Sequence, residues 1–499
     1  MKRSRLLSVI ALSVSAGCLL AGCTVGPDYR PPVVAVPPSF AGAPGDRNEA
    51  QDITVWWHGF GDPLLDRLIE QGLRDNPDVR QAALRIEEAR AQERAARANG
   101  GPKINASAQA GYNQLSSNAL PSGLANLGTL GTGGGGASAL GLAGEHFTTF
   151  QTGFDASWEI DLLGGQRRAN EAARARTQAL IWSHRDARVM LAAEVARTYQ
   201  DYRALQRRIA IMDRTIASQR EVLAIVRARS SSGLITTLDE RHQQGAFDGL
   251  AAQREDLAAQ AQARVHALGI LSGQAPMALA GDLQGSIPAP VLPDVPPGLP
   301  SDLLQRRPDL RAAERRVAAA TADIGVATAD LYPKFSLTGA MQLASRSLTS
   351  LVESDSILGN AAGRLTAPVI GGAGRATVQL RKAQAREAVL AYQGDVLTAL
   401  RDVEDALTRL EADRRRAGQL ADAEHAARDA ADTTLVRFAH GLVTQADVQG
   451  AQQTWLSASD SLTQAQGAAA QDVVALYKAL GGGWDERRVI PDEDKDHGK

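Results

Sequence analysis

The residues with the clearest chemical role lie near the amino terminus of this 499-residue chain. Leu20-Ala21-Gly22-Cys23 matches the bacterial lipoprotein signal, in which a peptidase cuts before the cysteine. The thiol of the cysteine receives a diacylglycerol, and the amine freed by cleavage takes a further acyl chain. Several acyl chains anchor a protein stably where one binds only marginally. The pattern therefore predicts that Cys23 is the lipidated first residue of the mature protein.

The residues before Cys23 have the composition of a secretory signal. Lys2, Arg3 and Arg5 are basic, and the apolar run that follows, 6–20, is short for a membrane span. We expect residues 1–22 to be removed and 23–61 to form a lipidated N-terminal tether, because its proline-rich part cannot form helix. Thr24 after the cysteine is compatible with delivery to the outer membrane. The alternative is an uncleaved signal anchor or a coincidental cysteine.

Other chemistry is sparse. The eight histidines are dispersed, and no H-E-x-x-H, C-x-x-C or G-x-S-x-G motif is present. The glycines at 371–374 lack the Lys-Ser/Thr ending of a phosphate loop. We therefore expect neither an enzyme nor a metal or other cofactor beyond the lipid. With 54 basic against 56 acidic residues, the chain is also not expected to bind nucleic acid.

The body of the chain contains an internal sequence repeat. Asn76-Pro77-Asp78-Val79-Arg80 matches Arg307-Pro308-Asp309-Leu310-Arg311, and Gly233-Leu234-Ile235-Thr236 matches Gly441-Leu442-Val443-Thr444. The distance along the chain between matching residues is larger at the first match than at the second. The first copy therefore contains about 24 extra residues, which we place around the glycine run 131–136 as an exposed loop. The predicted organisation is a first repeat (62–287), a proline-rich bridge (288–300), a second repeat (301–480) and a polar tail (481–499).

Each repeat contains two segments in which apolar and polar residues alternate. They predict strands at 103–114, 150–160, 335–345 and 357–367. Each has roughly the length of a tilted membrane-crossing strand with one apolar and one polar face. A half-buried strand of a soluble domain is the alternative, but the predicted lipoprotein signal, which is compatible with the outer membrane, favours a membrane location. Four strands cannot close a barrel, and open edges are not tolerated in lipid, so several chains must complete it.

The remaining segments predict helices. A first helix at 62–99 should break at Pro77, and long helices are expected at 168–230 and 375–438. Apolar residues recur every seven positions along the long helices, which is typical of a coiled coil, and about 63 residues of helix reach roughly 95 Å. A shorter helix should occupy 234–271. The chain is only 4% aromatic, as expected for helices packed through small residues.

The turn after each long helix contains residues typical of helix ends and helix starts. Gly233 and Gly441 should end the long helices, and Thr236 and Thr444 should cap the helices that follow. Asp239 and Asp447 fall in the new first turns, where the helix dipole favours acids. Local capping alone is the alternative explanation for each of them.

These features together resemble the TolC-like outer-membrane efflux family, specifically its lipoprotein branch. The resemblance rests on Cys23-Thr24-Val25-Gly26-Pro27-Asp28-Tyr29 with Pro31-Pro32, the paired Pro-Asp repeats, Tyr332-Pro333 and both helix tips. It implies a mainly α fold with a small transmembrane β-part. Three copies would combine four strands each into a 12-stranded β-barrel, and their long coiled-coil helices would form a trimeric α-barrel.

The same resemblance implies a function. Members are passive exit ducts of tripartite efflux pumps for small toxic compounds such as drugs, held in the outer membrane of a Gram-negative bacterium with a large periplasmic part. A periplasmic adaptor docks at the helix tips, here Gly233, Leu234, Ile235, Thr236, Gly441, Leu442, Val443 and Thr444, and an inner-membrane RND-type transporter supplies the energy. By motif position Asp447 fits an acid of the periplasmic gate, and Asp239 matches a position that constrains helices there. A second gate acid often lies one helical turn later in the family; the residue there is Gly450 in this chain, which leaves a second acidic ring open.

Two alternatives remain at this point. The same channel fold can serve metal-ion efflux or type I protein secretion, since the partner pump selects most of the cargo. The chain could instead be a pore-less coiled-coil structural or adaptor lipoprotein, although the amphipathic strands argue against it.

Overall fold

The fold is taken from a computed structural model. It describes residues 24–41, 53–114, 146–285, 291–295, 298, 300–369 and 372–485. The predicted signal, Cys23, the glycine run 131–136, part of the proline-rich bridge and most of the polar tail lie outside these residues. Predictions for those segments, including the lipidation of Cys23, stay predictions.

The elements occur in the same order in both halves of the chain. The first half contains α1 (Pro63–Asp75), α2 (Pro77–Asn99), β1 (Lys103–Gln114), β2 (His146–Ile160), α3 (Gly165–Ser231) and α4 (Thr237–Leu271). The second contains α5 (Pro300–Arg306), α6 (Pro308–Ala329), β3 (Lys334–Ser345), β4 (Ile357–Thr366), α7 (Gly372–Ala439) and α8 (Gln445–Ala479). The order of elements is that expected from the repeat.

The predicted break at Pro77 is confirmed. Asn76 separates α1 from α2, and its side-chain oxygen accepts a hydrogen bond from the backbone N–H of Asp78 at 2.8 Å. Its side-chain nitrogen donates to the carbonyl of Leu271 at 3.0 Å. Proline suits the first position of the new helix because it lacks the N–H that would be unpaired there.

The long helices are confirmed, with ends that differ slightly from the prediction. Their 67 and 68 residues correspond to roughly 100 Å at ~1.5 Å per residue. Both begin three residues before the predicted start, within glycine-containing stretches that helix propensity disfavours. Val195 and Tyr202 in α3, like Val396 and Val403 in α7, are buried, as expected for the seven-residue apolar repeat.

The four strands form one antiparallel sheet in the order β1-β2-β3-β4. Three of them match the prediction to within one residue. β2 starts at His146, four residues earlier than predicted, because Thr148 pairs with Tyr112 and Thr149 with Gly111 in the long first hairpin. Cross-strand pairing of this kind is not visible in the alternation of a single segment.

The N-terminal segment is extended, as predicted, but its described part is not a free tether. Phe40 is buried at 3% exposure, and the backbone N–H of Ala41 donates to a carboxylate oxygen of Glu404 at 2.8 Å. Tyr29 packs against a cluster of alanines. The prolines prevent helix but leave the aromatic side chains between them able to pack on the body of the protein.

The described residues divide into two compact units. One is drawn from Met1–Arg30, Arg90–Ala175 and Ala318–Glu387 and contains the sheet; the other is drawn from Pro31–Ala89, Arg176–Val317 and Ala388–Lys499. Each unit combines segments of both halves. In the second unit the Trp56 ring stacks on that of Tyr477 with centroids 5.0 Å apart. None of the helices in the described residues has both the length and the hydropathy that crossing a membrane requires.

Candidate functional site

Each long helix ends in the same turn, at the predicted glycine. Gly233 has a φ of 71° and Gly441 a φ of 73°, in the left-handed region that glycine adopts without strain. Leu234 N–H donates to the carbonyl of Arg229, and Leu442 N–H to that of Arg437, both at 2.9 Å. A hydrogen bond from an N–H to the carbonyl five residues earlier is typical of the Schellman motif, which satisfies carbonyls that a helix end leaves unpaired.

The helix after each turn begins with a capping box. The Thr444 hydroxyl accepts a bond from the N–H of Asp447 at 3.3 Å, while a carboxylate oxygen of Asp447 accepts from the N–H of Thr444 at 2.8 Å. Thr236 and Asp239 make the same exchange in the first repeat. The predicted N-caps are therefore confirmed.

Within one chain, the role that the structure shows for both predicted gate acids is helix capping. Asp447 is exposed, and the hydroxyl and backbone of Thr444 lower the pKa of its carboxyl, because both donate to the ionised form. Asp239 is partly buried. A gate acts between copies of a channel, so the gate role of Asp447 and Asp239 stays a prediction.

The predicted docking residues divide into two groups. Leu234 and Leu442 are 73% and 68% exposed, and the glycines and threonines of both turns are also exposed. Ile235 and Val443 instead pack against a buried cluster made by Val222, Val226, Phe438 and Val448. Six of the eight residues are therefore available to a partner, whereas Ile235 and Val443 hold the two turns together.

A cleft of about 530 Å³ lies between the two turns. Its polar side includes Arg229, Asp239 and His242, and its apolar side includes Val226 and Phe438. The Arg229 guanidinium lies 4.7 Å from the centre of the Phe438 ring. A cleft with an apolar floor and charged edges can receive a side chain of a partner protein. Sequence reasoning did not find it, because its walls come from both repeats.

Below the cleft, glutamines form a hydrogen-bonded chain across three helices. Gln243 of α4 donates to Gln219 of α3, which donates to Gln452 of α8, and Gln445 of α8 donates to Gln243 at 2.7 Å. The side chains of Gln219, Gln243 and Gln452 are buried. Buried amides are costly unless paired, so this chain fixes the register of the helices next to the turns.

The sheet has one apolar and one polar face. The register places Ile104, Ala106, Phe154, Trp158, Leu337, Met341 and Leu365 on one face, and Asn105, Ser107, Gln151, Asp155, Thr338, Gln342 and Arg364 on the other. Phe154 and Met341 are 61% and 66% exposed although both are large and apolar. An exposed apolar face of this size marks a membrane or protein contact.

The dimensions of the apolar face suit a bilayer. From Trp158 to Thr148, β2 spans about 34 Å at ~3.4 Å per residue, which is roughly 26 Å along the membrane normal at a tilt of about 40°. Trp158 lies near the end that continues into helix and donates its ring N–H to the carbonyl of Gly100 at 3.0 Å. Tryptophan with a satisfied N–H is typical of the membrane interface.

Comparison with known proteins identifies the family. The family model described as outer membrane efflux protein matches residues 68–274 and 299–482, which is more than half of the chain. The chain belongs to the outer membrane efflux protein family. The match covers both repeats and both helix turns, and it confirms the resemblance inferred from the sequence.

Individual members of the outer membrane efflux protein family match along almost their whole length. Outer membrane protein OprJ of Pseudomonas aeruginosa is 33% identical, covering 94% of this chain and 95% of that protein. Cation efflux system protein CusC of Escherichia coli O6:H1 is 28% identical, covering 94% and 97%. The solved structure of the outer-membrane channel OprN is 31% identical, with a TM-score of 0.82, and covers 93% of this chain and all of that one.

These findings confirm the predicted fold class at the level of the chain, a mainly helical protein with a small sheet. They also confirm the prediction of an outer-membrane efflux channel, since the family carries out transport and is not a family of enzymes. The comparisons do not test the roles of Cys23 or of the individual tip residues.

Proposed function

We propose that this protein is the passive exit duct of a tripartite pump that carries small toxic organic compounds across the outer membrane. The observation that carries the proposal is a four-stranded sheet with an exposed apolar face, in a chain that belongs to the outer membrane efflux protein family. The protein has no catalytic role in this proposal, and it needs no cofactor besides the acyl chains on Cys23.

The sheet calls for three copies. β1 and β4 each pair on one side only among the described strands, so each leaves a row of backbone groups without a sheet partner. Such edges are not stable in lipid. Pairing β4 of one copy with β1 of the next closes a 12-stranded barrel after three copies, with the apolar face outward.

The helix turns supply the contact with the rest of the pump. Leu234 and Leu442 project from the turns, and the cleft between them has charged edges and an apolar floor. A periplasmic adaptor docked there would connect the duct to an RND-type inner-membrane transporter, which supplies the energy. The duct itself performs no energy conversion.

Metal ions are the second candidate cargo. CusC, a cation efflux system protein of Escherichia coli, is 28% identical over nearly the whole chain. Because the duct is passive, this likeness bears on the pump it would serve more than on any residue of the duct.

The test is deletion in the native host followed by susceptibility measurements with dyes, detergents, antibiotics and metal salts. We expect sensitivity to organic compounds, restored by the wild-type gene and by Leu348→Asp, an exposed control between β3 and β4. Leu234→Asp with Leu442→Asp should fail to restore resistance although the protein still reaches the outer membrane. Sensitivity to metals alone would favour the cation candidate. No change, together with no channel in planar bilayers, would favour a pore-less lipoprotein.

A further inference from the structure

Three side chains with nitrogen, oxygen or sulfur donor atoms meet where α4 ends. Gln262 and His266 lie one turn apart on α4, and Met277 lies in the segment that follows the helix. Nε2 of His266 lies 3.2 Å from Sδ of Met277, and Nε2 of Gln262 lies 3.3 Å from the same sulfur and 3.1 Å from Nε2 of His266. We name these three residues the His–Met cluster. None of them lines the cleft between the helix turns.

The backbone holds Met277 beside the helix. The N–H of Gln274 donates to the carbonyl of Gly269 at 2.8 Å, in the bond typical of a Schellman motif. A Cβ placed on Gly269 would lie 2.8 Å from the carbonyl oxygen of Ala275, so the segment packs directly on the helix backbone. Leu279, which is 3% exposed, anchors the residues that follow. The position of Met277 is therefore fixed by contacts on both sides of it.

Burial does not explain the direction of the Met277 side chain. Met277 is 57% exposed, Gln262 is exposed and His266 is half-buried. A hydrogen bond from a ring or amide N–H to a thioether is weak, because the sulfur is a poor acceptor. The sulfur and the imidazole nitrogen therefore point at each other at a place that a solute can reach from water.

These donor atoms suit a soft metal ion. A thioether is a soft ligand of the kind that selects Cu(I), and imidazole binds many transition metals. Metal bonds to such atoms are about 2.0–2.3 Å long, so two atoms 3.2 Å apart can both reach one ion. Turning the Gln262 amide over exchanges its nitrogen for its oxygen and supplies a third ligand.

The cluster differs from a site built of charged ligands. In the part of the chain that the structure describes, no group of three His, Cys, Asp or Glu side chains is placed to hold a metal ion. No sequence motif indicated the His–Met cluster either, because eleven residues and a helix end separate His266 from Met277.

We propose that the His–Met cluster binds a soft monovalent cation, Cu(I) or Ag(I), through Nε2 of His266 and Sδ of Met277. The bound ion joins the segment after α4 to the helix itself. The ion is a ligand and not a cofactor of transport, so this site does not depend on the proposed function.

The test measures whether Ag(I) protects Met277 from oxidation in the purified full-length protein in detergent. Hydrogen peroxide transfers one oxygen atom to a free thioether, which gives a sulfoxide and water; a sulfur bonded to a metal ion does not react in this way. Thiols are first blocked with iodoacetamide, because thiolates also bind soft cations. Silver nitrate in chloride-free buffer is the probe, and nickel nitrate is the comparison, since Ni(II) suits imidazole.

Tryptic peptides provide an internal control. Peptide 265–306 contains Met277 as its one methionine, and peptide 189–197 contains Met190 as its one methionine. Met190 is 45% exposed, which is close to the value for Met277. Mass spectrometry of the two peptides therefore compares similarly exposed methionines in one sample.

Ag(I) at about ten times its dissociation constant should slow the oxidation of Met277 about tenfold, because only the unbound fraction reacts. Met190 should be oxidised at an unchanged rate, and Ni(II) should protect neither residue. His266→Gln should remove the protection, whereas His242→Gln, at an exposed position of the same helix, should retain it. Met277→Leu should lower the Ag(I) bound at equilibrium by one ion per chain, which is a second readout that needs no oxidation.

Equal protection of Met277 and Met190 by Ag(I) would overturn the proposal, because any exposed thioether would then bind the ion. Protection that survives His266→Gln would also overturn it, since the imidazole would not be a ligand. The same holds for an absence of protection in the wild type, and for equal protection by Ni(II), which would remove the preference for a soft ion.

Discussion

Replacing Phe154 with arginine tests which face of the sheet meets lipid. Phe154 lies on the apolar face beside Met341 and Ala106 and is 61% exposed. Six residues separate it from the end of β2 at Ile160, which is about 20 Å along the strand and roughly 16 Å along the membrane normal at a tilt of about 40°. This position is near the middle of the hydrocarbon layer.

The expected cost follows from that depth. An arginine on the lipid face near the midplane costs about 2–4 kcal/mol, and removing the phenyl ring from contact with lipid costs roughly 2 kcal/mol more. We therefore expect Phe154→Arg to lower the free energy of unfolding from the membrane by about 4–6 kcal/mol per chain. Tyr112 lies eight residues along β1 from Ile104, near the end of the strand that is farther from the helices. Tyr112→Arg should cost less, because the penalty for the charge falls to about 0–1 kcal/mol at the interface.

The assay is urea unfolding of the purified protein refolded into lipid vesicles. Gln151→Arg is the matched control, since Gln151 lies three residues from Phe154 on the polar face and is also exposed. It should change stability by less than about 1 kcal/mol, because a residue facing the lumen stays in water. If Gln151→Arg destabilises the protein as much as Phe154→Arg does, the assignment of the two faces is wrong.

Three further predictions concern the helices. Asp447→Ala should raise single-channel conductance in planar bilayers and weaken cation preference if the acids of several copies line the bore; unchanged conductance and selectivity would contradict a gate role. Gln243→Leu removes the donor to the buried side-chain oxygen of Gln219 and the acceptor of the half-buried Gln445 amide, so hydrogen exchange at the ends of α3 and α4 should report a loss of about 1–3 kcal/mol, unlike Gln244→Leu. Burial, reinforced by Asp309, raises the pKa of Asp186 to about 6, above its unfolded value, so its ionisation opposes folding as pH rises from about 4 to 6. Asp186→Asn should therefore stabilise the protein by about 2–3 kcal/mol at pH 7 but not at pH 4 in urea titrations, and equal effects at both pH values would contradict the assignment.

The elements of this fold were predictable because their periodicity is long and regular. Four or more apolar heptads in each long helix, and alternation over ten or more residues in each strand, leave little choice between helix and strand. The errors occurred where a neighbouring segment decides the outcome. β2 extends to His146 because β1 is there to pair with it, and α3 starts at Gly165 although glycine disfavours helix.

Contacts between distant residues were not predictable. Asp28 and Arg168 are 140 residues apart, and neither belongs to a periodic pattern. The glutamine chain joins residues from both repeats, and in the sequence Gln219 and Gln452 look like ordinary polar positions on a helix surface. The motif at the turns was visible, but the separation of Leu442, which is exposed, from Val443, which is buried in part, depends on the cluster under the turn.

The duplication allows the capping and gating roles of the tip acids to be separated. Asp239 and Asp447 occupy the same position of the same capping box, so capping alone predicts similar effects when either is replaced. Their surroundings differ, because Asp239 lines the cleft that also contains Arg229 and His242, whereas Asp447 does not. A change in conductance for Asp447→Asn but not for Asp239→Asn would come from charge in the bore, since asparagine keeps an oxygen that can accept the capping bond.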